Sequence, residues 1–339
     1  MRSIPGLWSV CLIPLGLLAQ EAPEAIEIPR YEVVPLTDRA VSLRMDGQEF
    51  TRWHGGDSAP RPFFFPFNGP SGVSLTRMGH PGAPNHDHHR SIWFASHDVD
   101  GIDFWSDQTD ARIRQTQWLV YEDGAAEGVL ATRLHWIDPD GGVRIEQDVV
   151  AAIRQRTGGT RELELQLTLR PGPGNQRVVL GQTNFGLLAV RVAKSISGHF
   201  GGGRLTDSEG RVGEQAIFGQ RARWMDYSGP VIVGAGNERR AETEGITVFD
   251  HPSNPRYPTR WHVREDGWMG ASFCYDGPWT IDKSEPLRLR YLIVAHAGDY
   301  SPQASAEWAE TFAARASWRI ERSTRPHRQF AVERAEDGS

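Results

Sequence analysis

Lysine is nearly missing from this 339-residue chain, which has Lys194 and Lys283 and otherwise only arginine as its basic residue. With 37 Lys and Arg against 43 Asp and Glu, the formal net charge is -6, so no electrostatic footprint for nucleic acid exists. Cysteine is scarce as well, with Cys11 and Cys274 alone. Long apolar runs are confined to the segment from Met1 to Ala19. There Arg2, the apolar stretch Leu7 to Leu18 and the end Gly16-Leu17-Leu18-Ala19 read as a secretory signal. Ser9, Pro14 and Gly16 interrupt that stretch, and it is too short to span a bilayer. Cys11 lies inside it, so the exported chain keeps only Cys274 and has no intramolecular disulfide. The expectation is a periplasmic or secreted protein with no membrane span in its mature part. No Gly-rich phosphate loop precedes a helix, and no H-E-x-x-H motif or cysteine pair marks a metal centre.

What is abundant points to strands and turns. The 36 Gly, 22 Pro and 12 Trp favour an all-β chain. Tyr31 to Pro35, Ala40 to Met45, Trp118 to Glu122, Gly128 to Asp138 and Val143 to Ala152 read as strands. Asp46-Gly47 and Pro139-Asp140-Gly141-Gly142 supply turn signals. Arg161 to Leu169 alternates strictly, which predicts four leucines on a core face and polar groups on a solvent face. Leu287 to Ile293 starts alternating and becomes apolar throughout, as burial on both faces requires. One helix is predicted, capped by Ser301 with Pro302 at its first turn, running through Ala304 to Ala316. Its Trp308 and Phe312 are expected to pack on the sheet edge. The organisation is a signal at 1–19, a lead-in at 20–28, one large antiparallel β-sandwich at 29–322 and a frayed tail at 323–339.

The densest chemistry is His86-Asp87-His88-His89-Arg90, followed by Gly101-Ile102-Asp103-Phe104-Trp105. Imidazoles act near neutral pH as acid, base or metal ligand. Pro81, Pro84 and Asn85 precede the run, so it reads as a loop entering a strand near Ser91. Two or three imidazoles with a carboxylate form a common divalent-metal set, so a metal at His86, His88 and His89 is an open alternative. Asp103 lies in an apolar setting, where a carboxylate needs a partner such as Arg90. Asp98, Asp100 and Asp107 read as solvated turn residues. A second constellation runs from Phe249 to His262, where three prolines stiffen a loop carrying His251, Asn254, Arg260, Trp261 and His262.

These segments, with Pro66 to Gly72, Leu289-Arg290-Tyr291 and His296-Ala297-Gly298, resemble an uncharacterised bacterial DUF family that carries the label "methane oxygenase PmoA". The methane monooxygenase subunit of that name is a multi-span membrane protein. This chain lacks the run of roughly 20 apolar residues that each such span needs, so methane oxidation is not expected. The resemblance implies a β-sandwich similar to the galactose-mutarotase-like supersandwich, in bacteria that degrade complex carbohydrates.

The functional expectation is a carbohydrate-active hydrolase, lyase or epimerase working on a sugar or oxidised sugar, with no cofactor. His88, His89 and His262 would move protons, and Asp103 would orient an imidazole. His86, Arg90, Trp105, His251, Asn254, Arg260 and Trp261 would bind the ligand. A non-catalytic glycan-binding module and a metal-dependent enzyme are the alternatives. The leading reading requires the two loops to converge.

Overall fold

The computed structural model describes residues 28–80, 82–83 and 86–335. The signal expected at 1–19 and most of the lead-in fall outside the described residues. Two eight-stranded antiparallel sheets stack into a β-sandwich. The first has the order β1 (Tyr31–Pro35), β2 (Ala40–Met45), β3 (Gln48–His54), β4 (Phe63–Phe67), β5 (Ile92–Ser96), β11 (Gly186–Arg191), β16 (Trp268–Ser272), β15 (Arg260–Arg264). The second has the order β12 (Arg204–Asp207), β13 (Trp224–Val233), β14 (Arg240–Asp250), β18 (Leu287–Ala297), β9 (Arg161–Pro171), β8 (Val143–Gln155), β7 (Gly128–Ile137), β6 (Arg112–Glu122). One core takes side chains from both, including Trp53, Phe94 and Trp261 from the first and Trp136, Leu165 and Tyr291 from the second.

Local chemistry explains the elements. Asp46 and Gly47 both have positive φ, 51° and 76°, as a type I′ turn between β2 and β3 requires. At the β7–β8 turn, Asp138 Oδ1 accepts the backbone N–H groups of Asp140 and Gly142. A two-stranded sheet of β10 (Arg177–Leu180) and β17 (Trp279–Asp282) and a short helix α1 (Glu214–Ile217) accompany the longer helix α2 (Pro302–Ala313), which Ser301 caps, its hydroxyl accepting from Ala304 N.

Three expectations need correction. Trp308 and Phe312 of α2 pack against Trp224, Phe249, Leu292 and Val294, so the helix covers the outer face of interior strands β13, β14 and β18, not a sheet edge. The polar face of β9 is not solvated either. Glu162 and Glu164 are fully buried there, paired with Arg154, Arg156, Arg290, Arg315 and Arg334. Burial pushes Glu164 up, yet Arg334, Arg154 and Arg315 together hold it far below the usual carboxylate range. Part of the tail expected to fray is ordered: β20 (Phe330–Arg334) pairs with β19 (Trp318–Arg322) and buries Val332 and Trp318. Gln166 fixes this hairpin, accepting from Trp318 N and donating to Trp318 O.

Candidate functional site

Four strands of the first sheet set the floor of a cavity. Register aligns Trp93 of β5, Ala189 of β11, Gly270 of β16 and His262 of β15 in one cross-strand row. Directly opposed residues share a sheet face. The neighbouring row is Arg191, Trp268 and Arg264. The alternate row, Phe94, Leu188, Ala271 and Trp261, turns into the core. Gly270 leaves room for the neighbouring indole: a Cβ there would lie 3.2 Å from Trp268 Nε1.

The cavity above this face holds about 480 Å3 and is lined by the loop histidines His86, His88 and His89 together with His97, Asp103, Trp105, Phe185 and His262. The segment at 86–105 and strand β15 therefore converge. His89 is buried against His88 and Trp268, with ring centroids 4.3 and 4.6 Å away. Burial, with His88, Arg191 and His86 nearby, keeps its imidazole neutral far below the ordinary range. Trp93, Trp105 and Trp268 cluster with centroids 5.1 to 5.5 Å apart.

His262 has the clearest chemistry. Its Nδ1 lies 3.1 Å from the carbonyl oxygen of Asn184, which only accepts. Nδ1 therefore carries the hydrogen, and the neutral ring keeps its lone pair on Nε2. Burial, reinforced by Arg264, pushes its pKa down to about 4, so that lone pair is available at neutral pH. Across the exposed ring of Phe185 stands His97. Phe185 is 4.9 Å from His262 and 6.0 Å from His97, centroid to centroid. One loop holds both, because Phe185 O accepts from His97 N while Asn184 O serves His262. Asp103 Oδ2 lies 3.3 Å from His97 Nδ1, and its Oδ1 accepts from Trp105 N and Ser106 N.

Arg191, Asp266 and His80 brace the opposite wall. Arg191 is buried and bidentate to Asp266 at 2.6 and 3.1 Å, and His80 Nε2 lies 3.0 Å from the same carboxylate. Burial pushes Asp266 up, but Arg191 and His80 more than offset it. Among the described residues, several buried polar nitrogens around the floor have no hydrogen-bond partner: Nε1 of Trp93, Trp105 and Trp268, His89 Nδ1 and Arg191 Nε. Among the described residues, no three His, Cys, Asp or Glu side chains are grouped to hold a metal ion.

A family model matches residues 40–310, most of the chain. The chain belongs to DUF6807, a family of unknown function. No curated protein matches it. Among the described residues of this DUF6807 chain, no helix is long and apolar enough to cross a membrane.

Several sequence candidates lie elsewhere in the DUF6807 structure. Arg90 forms a bidentate pair with Asp107 at 3.1 and 2.6 Å, so it is not the partner of Asp103, and Asp107 is not a solvated turn residue. His251 is a latch beneath α2. Its Nδ1 lies against Ser253, and its Nε2 lies 3.2 Å from the carbonyl of Phe312 and 2.9 Å from Arg290 Nη1. Asn254 joins Asp250 to the backbone of Arg290. Arg260 pairs with Asp276 and Gly219 O. Trp261 is fully buried, its indole donating to Ala222 O, and offers no stacking face. Asp103 orients His97, which the sequence reading passed over. His97, Phe185, Arg191, Asp266 and Trp268 come from three separate segments, at 97, 185–191 and 266–268. The signal that could have separated Trp261 from His262 was the period of two along β15.

Proposed function

We propose that this chain is an exported carbohydrate-active enzyme on a galactose-mutarotase-like sandwich, acting on a sugar or oxidised sugar as a hydrolase, lyase or epimerase. One observation carries the reading: His97 and His262 line one cavity on either side of Phe185, each with Nδ1 beside an acceptor. His262, neutral with its lone pair on Nε2, is the base. His97, with Asp103 Oδ2 beside its Nδ1, is the partner acid. The polar side chains lining the cavity, among them Asp103, Ser106, Gln108 and Arg264, suit an oxygen-rich guest. The indoles and Phe185 suit the C–H face of a sugar ring, and the volume suits one or two rings. His86 and His88 at the mouth are ligand contacts. His89, neutral and buried, accepts or donates a hydrogen bond there. The reading asks for no cofactor.

The test is turnover of a panel of oligosaccharides and sugar acids by the wild type and by His97→Ala and His262→Ala. The expected result is product with the wild type and turnover lower by at least about 10²-fold with either variant, at unchanged folding. Full turnover by both variants would remove the assignment. Saturable binding without product would make the protein a glycan-binding module. Turnover lost on chelation and restored by one metal would move it to the metal-dependent class.

A further inference from the structure

The second sheet carries an arginine-rich groove on its outer face, away from the histidine cavity. Register places Arg288 of β18, Thr168 of β9, Asp148 of β8 and Arg133 of β7 in one cross-strand row. Arg170 lies two residues along β9, on the same face. The hairpin β19–β20 forms the wall beside them with Trp318, Arg319, Arg322 and Phe330. The enclosed volume is about 310 Å3.

Charge there is unbalanced. Five arginines line the groove against Asp148 and Glu321, in a chain whose net charge is -6. Asp148 is buried and serves two guanidiniums at once, Arg133 Nε and Arg170 Nη1, each at 2.7 Å. Arg133 also has Glu146 at 3.6 Å, and Arg319 has Glu321 at 3.7 Å in the open. Arg288 and Arg322 have no carboxylate partner among the described residues; the latter lies over the Phe330 ring at 5.0 Å. The Thr168 hydroxyl has no protein hydrogen bond among the described residues, although the residue is buried. A fixed array of guanidinium donors with a hydroxyl at its base, held by a buried carboxylate, is the chemistry that recognises oxyanions.

We propose that this groove is a binding site for an oxyanion, the carboxylate of a sugar acid or a tetrahedral sulfate or phosphate group. Arg288 and Arg322 supply the uncompensated charge, while Arg133 and Arg170 are preoriented by Asp148. The site is independent of the histidine cavity and does not need that cavity to be catalytic.

The experiment is calorimetric titration of the full protein with sodium sulfate, inorganic phosphate and glucuronate, with chloride holding ionic strength constant. The wild type is expected to bind at least one of them saturably. Arg288→Gln/Arg322→Gln should weaken that binding by at least about tenfold, the scale of one lost charged hydrogen bond. Both side chains are exposed and make no ion pair among the described residues, so melting temperature should hold. His262→Ala should bind as the wild type does. Sulfate or phosphate without glucuronate assigns a tetrahedral group, and glucuronate alone assigns a carboxylate. The proposal is overturned if none of the three saturates, if the double variant binds like the wild type, or if His262→Ala abolishes binding.

Discussion

His251 and His262 stand at the two ends of one proline-stiffened segment, and burial pushes both down to about 4. Their surroundings nevertheless assign them opposite work. His251 has both ring nitrogens bonded, to Ser253 on one side and Phe312 O on the other, with the Arg290 guanidinium beside it. It joins α2 to the sheet and has no capacity left for a ligand. His262 spends one nitrogen on Asn184 O and keeps the other for chemistry. A depressed pKa therefore reports burial in both cases. The uncommitted lone pair in a cavity is what marks a candidate base.

The sharpest way to break this comparison is to remove each ring in turn. His262→Ala should lower turnover by roughly 10²–10⁴-fold, the range for losing a general base, with the fold retained. His251→Ala should keep turnover and instead lower stability, because it strips the partner from the buried Phe312 carbonyl. Kinetics and thermal melting of both variants read this directly. Equal effects on activity would erase the distinction.

Next in size is the parity of β15. Trp261→Ala empties a core position between the sheets and should cost about 3–5 kcal/mol of stability in denaturant unfolding. A cost below about 1 kcal/mol would place the indole outside the core, contrary to the register.

The pH dependence sharpens the comparison differently. Both imidazoles have folded pKa values of about 4, below the unfolded value near 6.5. As pH falls from about 6.5 toward 4, the unfolded chain takes up protons first. Stability is therefore full above pH 6.5 and declines down to about 4, by up to about 3 kcal/mol per histidine. His251→Ala and His262→Ala should each flatten that slope by a similar amount, although only one changes turnover. Urea unfolding from pH 7 to pH 4 tests it. The smallest effect belongs to Arg260→Ala, which breaks a partly exposed pair with Asp276 and should cost under about 1 kcal/mol without altering ligand binding.

Much of the sandwich was legible because strand alternation and turn chemistry are local signals. Ala40 to Met45 with its Asp46-Gly47 turn, the β7–β8 hairpin and the Ser301 cap all follow from neighbouring residues. The polar face of β9 was not legible as buried, because Arg290, Arg315 and Arg334 arrive from more than a hundred residues later. The site divides the same way. Grouping His86, His88 and His89 with His262 rested on their density, and the fold brings them to one cavity. His97 was hidden because its meaning comes from Asp103 and Phe185, which only the fold places beside it. Trp261 was misplaced because a strand sends neighbours to opposite faces, whereas Arg260 shares the His262 face and is taken up by Asp276 and Gly219 O.

The most direct test is parallel turnover of the sugar and sugar-acid panel by the wild type, His251→Ala, His97→Ala and His262→Ala. The account predicts wild-type turnover from the first two and turnover lower by at least about 10²-fold from the last two. Product from His97→Ala and His262→Ala at the wild-type rate would contradict it.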